Sequence, residues 1–83
     1  MNQSTQVLDG YVYVVDKKAI KLEVISAGQI LPCYIYGKEE QELVIFYQLH
    51  QFDIEDIIES IVDKNEVNID GEIWLTAEQV IIS

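Results

Sequence analysis

Cys33 and His50 are the only thiol and the only imidazole in the chain, and together they would be the minimum for nucleophilic catalysis. A working thiolate also needs a third group to orient the base and surroundings that lower its pKa. Cys33 instead stands among Leu31, Tyr34 and Ile35. Apolar neighbours of that kind make a cysteine a small buried hydrophobe. No residue set supplies nucleophile, base and oxyanion donor together, so the chain is not expected to be an enzyme.

Carboxylates are the other chemistry on offer. They form two groups, Glu39, Glu40 and Glu42 in one stretch and Glu55, Asp56, Glu59 and Asp63 in another. Paired carboxylates run acid–base chemistry only where burial or crowding drives their pKa values apart, and both groups fall in polar surroundings. A calcium loop converges its oxygens on a bent backbone with a glycine at the sixth position, which a regular helix cannot imitate. There is no CxxC pair and no HExxH motif, and the glycines at 10, 28, 37 and 71 stand alone in turns. No metal and no cofactor are expected.

The second acidic group must be positioned by a helix. In Asp53–Lys64 the apolar residues Ile54, Ile57, Ile58, Ile61 and Val62 recur at i, i+3, i+4, i+7 and i+8, one stripe down an α-helix. Asp53 suits the N-cap, and Lys64 with Asn65 suits the far end. Glu55, Asp56, Glu59 and Asp63 then share the outward side. Glu55/Glu59 and Glu59/Asp63 are like-charge pairs at i,i+4, each costing about 0.2–0.5 kcal/mol of helix stability.

A helix with one apolar stripe needs a sheet to cover it, and strand signals surround it. Tyr11–Val15 is β-branched and aromatic on both faces; Ala19–Ile25 alternates, with Ile20, Leu22 and Val24 opposed to Lys21 and Glu23. Gln29–Tyr36 reads as a third strand, at an edge or bulged where Pro32 cannot donate to a ladder. Gly37–Gln41 reads as a mobile polar loop, and the apolar run Leu43–Tyr47 as the most buried strand. After the helix, Val67–Ile69 and Glu72–Leu75 flank Asp70-Gly71 as a hairpin would. The tail Thr76-Ala-Glu-Gln79 has the pattern of a capping box, but so few residues follow that a short strand or extended segment is expected. The predicted fold is α+β: an antiparallel meander of four to six strands, or a small SH3-like barrel, with one amphipathic helix at 53–64, in a single acidic domain spanning 1–83.

The charge is −10, with five lysines and no arginine. Residues 1–38 hold three acids against four lysines, whereas residues 39–83 hold twelve acids against Lys64 alone. That asymmetry repels nucleic acid and anionic lipid and attracts basic proteins. No stretch is long and apolar enough to cross a membrane, the start lacks the pattern of a secretory signal, and the lone cysteine suits a reducing compartment. A cytoplasmic location follows as an expectation.

Two functions fit. The first is a protein-binding module, an inhibitor or adaptor that docks Glu55, Asp56, Glu59 and Asp63 on a basic, nucleic-acid-binding partner. Carboxylates about 6 Å apart along a helix imitate a run of phosphates. Small inhibitors made by phages or paired with toxins use this strategy as a class. The second is an assembly domain, such as a homodimer, joined through strands bearing Tyr11, Tyr13, Tyr34 and Tyr36. On that reading the acids serve only solubility.

Overall fold

The computed structural model describes residues 5–82, and side chains as far as Ile81. Five strands form one mixed sheet: β1 (Gln6–Val7), β2 (Val12–Val14), β3 (Ala19–Ser26), β4 (Gln29–Tyr36) and β5 (Ile73–Thr76). Three helices accompany it: α1 (Glu40–Leu49), α2 (Gln51–Asp63) and α3 (Ala77–Ile82). The strand order is β1-β3-β4-β5, with β2 also pairing with β3. The α+β class is therefore as expected. The described strands form an open sheet, with no pairing of β1 or β2 to β5, so the SH3-like barrel is not the arrangement found.

The β3–β4 hairpin is the spine of the sheet. Its antiparallel register runs from Ala19↔Tyr36 to Ser26↔Gln29 across the Ala27-Gly28 turn, where Ala27 at φ 51° and Gly28 at φ 80° both take the left-handed region. Pro32 pairs with Glu23, while β5 begins pairing only at Cys33. The first half of β4 is thus an edge, as the proline requires.

The run Leu43–Tyr47 is helix, not strand. A continuous apolar run of five has no period that separates the two states. Leu43, Phe46 and Tyr47 are the buried ones, at the i, i+3, i+4 spacing of a helix face, and Ile45 is exposed between them. The acidic stretch before it is α1's first turn, where the helix dipole favours Glu40 and Glu42, so the expected mobile loop is shorter than Gly37–Gln41. The Glu39 N–H donates to Glu42 Oε1 at 3.4 Å.

This reassignment changes the topology. Strands β4 and β5 are parallel neighbours, with Cys33↔Ile73 through Tyr36↔Thr76 in register. A parallel pair needs a long crossover, and α1 with α2 supplies it. The meander therefore holds only as far as β4. Val67–Ile69 forms no strand, and Ile69 lies almost wholly in solvent. A local turn stands where the hairpin was expected. Asn68 Oδ1 accepts from the N–H groups of Asp70 (3.1 Å) and Glu72 (2.8 Å), and Gly71 takes φ 77°.

Helix α2 begins at Gln51, and His50 rather than Asp53 occupies the corner. Asp53 lies in the first turn, with Oδ2 3.3 Å from His50 Nδ1. The tail is helical because its capping box closes in both directions. Thr76 Oγ1 accepts from the Gln79 N–H (3.1 Å), and Gln79 Oε1 accepts from the Thr76 N–H (2.8 Å). Ala77 and Val80 are buried in the core, which supplies the packing so short a helix needs.

The core lies between the helices and one face of the sheet. Ile20, Leu22, Val24, Cys33, Ile35, Ile73 and Leu75 come from the strands, and Leu43, Phe46, Tyr47, Ile54 and Ile58 meet them from α1 and α2.

Candidate functional site

Helix α2 presents one outward stripe. Phe52, Asp56, Glu59 and Asp63 stand at i, i+4, i+7 and i+11, and all four are exposed. Glu55 flanks the stripe and is half-buried, while Ile54 and Ile58 on the opposite side have no accessible surface. The four acids thus lie where the helix period puts them. Three of them follow Phe52 over about 16 Å of axis at 1.5 Å per residue. Among the described residues the one contact of this kind is His50–Asp53, so no lysine lies within ion-pair distance of these carboxylates.

Sequence reasoning missed Phe52, which is 81% exposed at the start of the stripe. Placing the N-cap at Asp53 left it outside the helix. Its spacing of four from Asp56 was the available signal. On the far side of the His50 corner, Ile45 and Leu49 are exposed one turn apart on α1. Large apolar side chains beside a row of acids suit a contact surface more than a purely solvating one.

The tyrosines do not form one patch. Tyr13 pairs with Ile20, a core-facing residue, and Tyr11 meets Tyr47 of α1 edge-on at 5.3 Å between ring centres. Tyr11 and Tyr13 therefore belong to the helix-covered side. Tyr34 and Tyr36 alternate with Cys33 and Ile35 and lie on the opposite, open face. A shared aromatic surface of all four is excluded by the register.

The open face has a missing member, Trp74. Its ring stacks on Tyr34 at 4.6 Å and meets Tyr36 edge-on at 5.8 Å, while its Nε1 donates to Glu72 Oε1 at 2.9 Å. Lys17 Nζ sits 5.3 Å from the centre of the Tyr34 ring and 6.0 Å from that of Trp74, within cation–π reach. The signal for Trp74 was its i, i+2 place between Glu72 and Thr76. It was unusable without knowing that β5 runs beside β4.

Cys33 and His50 do not make a site. Cys33 is fully buried, and desolvation pushes its thiol from the ordinary 9.0 to about 12, away from a reactive thiolate. The His50 ring is engaged at the α1–α2 corner by Asp53 and by Phe46, 4.6 Å away. No cluster of three or more His, Cys, Asp or Glu suited to hold a metal occurs among the described residues. None of the described helices is long and apolar enough to cross a membrane.

No protein-family model matches the chain, and no curated protein matches it. Among solved structures it is similar to the crystal structure of a protein of unknown function from the DUF1488 family of Shewanella loihica PV-4. The TM-score is 0.76 at 24% identity, covering 90% of this chain and 94% of that one. That likeness shows the fold alone.

Proposed function

We propose that the chain is a protein-binding module, of inhibitor or adaptor type, that docks the outer stripe of α2 on a basic surface of a partner protein. The carrying observation is the stripe itself: Phe52, Asp56, Glu59 and Asp63 exposed in line, flanked by Glu55, with no cation among them. A helix selected for stability alone would place a lysine at 59, between Glu55 and Asp63. Retaining repulsion at both spacings favours a role for the charge outside the fold. On a basic groove, carboxylates about 6 Å apart occupy positions otherwise taken by nucleic-acid phosphates. Phe52 supplies an apolar anchor at one end, worth about 1.5–3 kcal/mol if fully buried on docking. Direct binding of nucleic acid is not part of this proposal, because a chain at −10 repels it at long range. A cytoplasmic site of action suits it.

The test is reversal of all four acids, Glu55, Asp56, Glu59 and Asp63, to Lys. Circular dichroism should report an intact fold. The partner captured by the wild type from cells that make the protein should be lost. A partner retained equally by the reversed protein contradicts the proposal.

A further inference from the structure

The face of the sheet turned away from the helices has the wrong composition for water. Antiparallel sheets covered on one side ordinarily turn polar residues outward on the other. Here the register aligns Val12, Lys21, Tyr34 and Trp74 in one row across β2, β3, β4 and β5, with Val14, Ala19, Tyr36 and Thr76 in the next. Val12 and Ile30 are each more than 60% exposed, and Tyr36 and Trp74 each 37%. No helix covers this face among the described residues; only the short 3₁₀ turn at Val15–Lys17 reaches over Tyr34.

The ionisable groups on the face identify what fits it. Register or contact places Lys17, Lys21, Glu23 and Glu72 there, two of each sign, in a molecule whose total is −10. At the rim, Lys18, Lys38, Glu39 and Glu42 stand by Tyr36, and Asp9 by Val12, again with both signs present. A strongly anionic ligand would meet Glu23 and Glu72, and a basic one would meet Lys17 and Lys21. A second copy meets its own complement, since an isologous contact sets each patch against itself and needs both signs present. Pairing these faces also leaves both acidic α2 stripes on the outer sides of the dimer, which limits the repulsion between two copies at −10.

We propose that this open face is a homodimer interface, formed face to face by a second copy of the chain. Strands β3 and β4 are eight residues long, β5 four, β2 three and β1 two; at about 4.8 Å between strands and about 3.3 Å per residue they span roughly 400 Å² per copy, about 800 Å² for the pair. That is below the size of stable specific interfaces and in the range of transient ones, so the dimer is weak and concentration-dependent. Trp74, the only tryptophan, lies at the contact.

Sedimentation velocity from 1 µM to 1 mM, with Trp74 emission followed over the same range, tests this. The expected result is a rise from monomer to dimer mass, with a blue shift of emission at the same midpoint. Val12→Lys with Ile30→Lys, both at exposed positions, should weaken association at least tenfold. Reversal of the four α2 acids should leave association no weaker, which separates this interface from the α2 docking surface. A monomer of constant emission throughout overturns the proposal, as does a dimer indifferent to Val12→Lys and Ile30→Lys. Quenching of Trp74 by a single-stranded oligothymidylate, in a protein that stays monomeric, overturns it in favour of a base-stacking face.

Discussion

The outer side of α2 and the open side of the sheet are both exposed, and they are built on opposite plans. The α2 stripe concentrates one sign of charge behind a single phenylalanine, whereas the sheet face mixes signs around stacked rings. On the two proposals above, one side meets a partner unlike itself and the other a second copy of the chain. Neither plan is set by the core. The same helix buries Ile54 and Ile58 inward, and the same strands bury Leu22, Cys33 and Ile35. Each element therefore carries a buried face and an exposed face, and substitutions on the two should behave differently.

The sharpest break between them is in stability. Ile58→Ala, directly beneath the acidic stripe, should cost about 2–5 kcal/mol by urea denaturation, since it opens a cavity at a fully buried site. Val12→Lys on the sheet face should stay within about 0.5 kcal/mol. Equal costs would mean that the open face belongs to a core.

Next comes Cys33, on the inner side. Unfolded, its thiol loses a proton near 9.0, while burial keeps the folded thiol protonated to about 12. Between those values the folded state binds more protons, so stability falls as pH rises, by at most about 1.4 kcal/mol per pH unit. The wild type should therefore lose stability relative to Cys33→Ala only above about pH 9. Denaturation at pH 8, 9 and 10 reads this difference, and parallel curves would contradict the burial.

Two smaller effects sharpen the contrast. Glu59→Lys replaces two i,i+4 repulsions with two attractions and should stabilise the protein by about 1 kcal/mol while weakening partner binding. A variant that gains stability and keeps full binding would leave the acids as a solvating surface. Thr76→Ala removes the hydroxyl that caps α3 and should cost about 1 kcal/mol, visible as a lower thermal midpoint.

How much of this was legible depends on whether a segment carries a period. The helix at 53–64 showed one, and α2 at Gln51–Asp63 exposes Asp56, Glu59 and Asp63 as the spacing required, with Glu55 half-buried beside them. The alternation of Ala19–Ile25 gave β3 and its wet residues. Leu43–Tyr47 was apolar throughout, and reading it as strand hid the crossover. The same misreading turned a parallel β5 into half of a hairpin, because a meander strand at Leu43–Tyr47 would take the edge of β4 that β5 occupies. Asp70-Gly71 does mark a turn, but Asn68 closes it locally instead of leading into a second strand. The tyrosines were assigned correctly in pairs, since i and i+2 share a face. Which face each pair took depended on the register of β2 and β4 against β3, which no local pattern contains.

Docking through the acidic stripe of α2 makes partner binding depend on salt. Calorimetric titration of the captured partner with the wild type, from 50 to 300 mM salt, should show affinity falling at least tenfold, and the protein with Glu55, Asp56, Glu59 and Asp63 reversed should show no binding across the range. An affinity that holds constant across that range, or that the reversed protein matches, would contradict docking through the acidic stripe of α2.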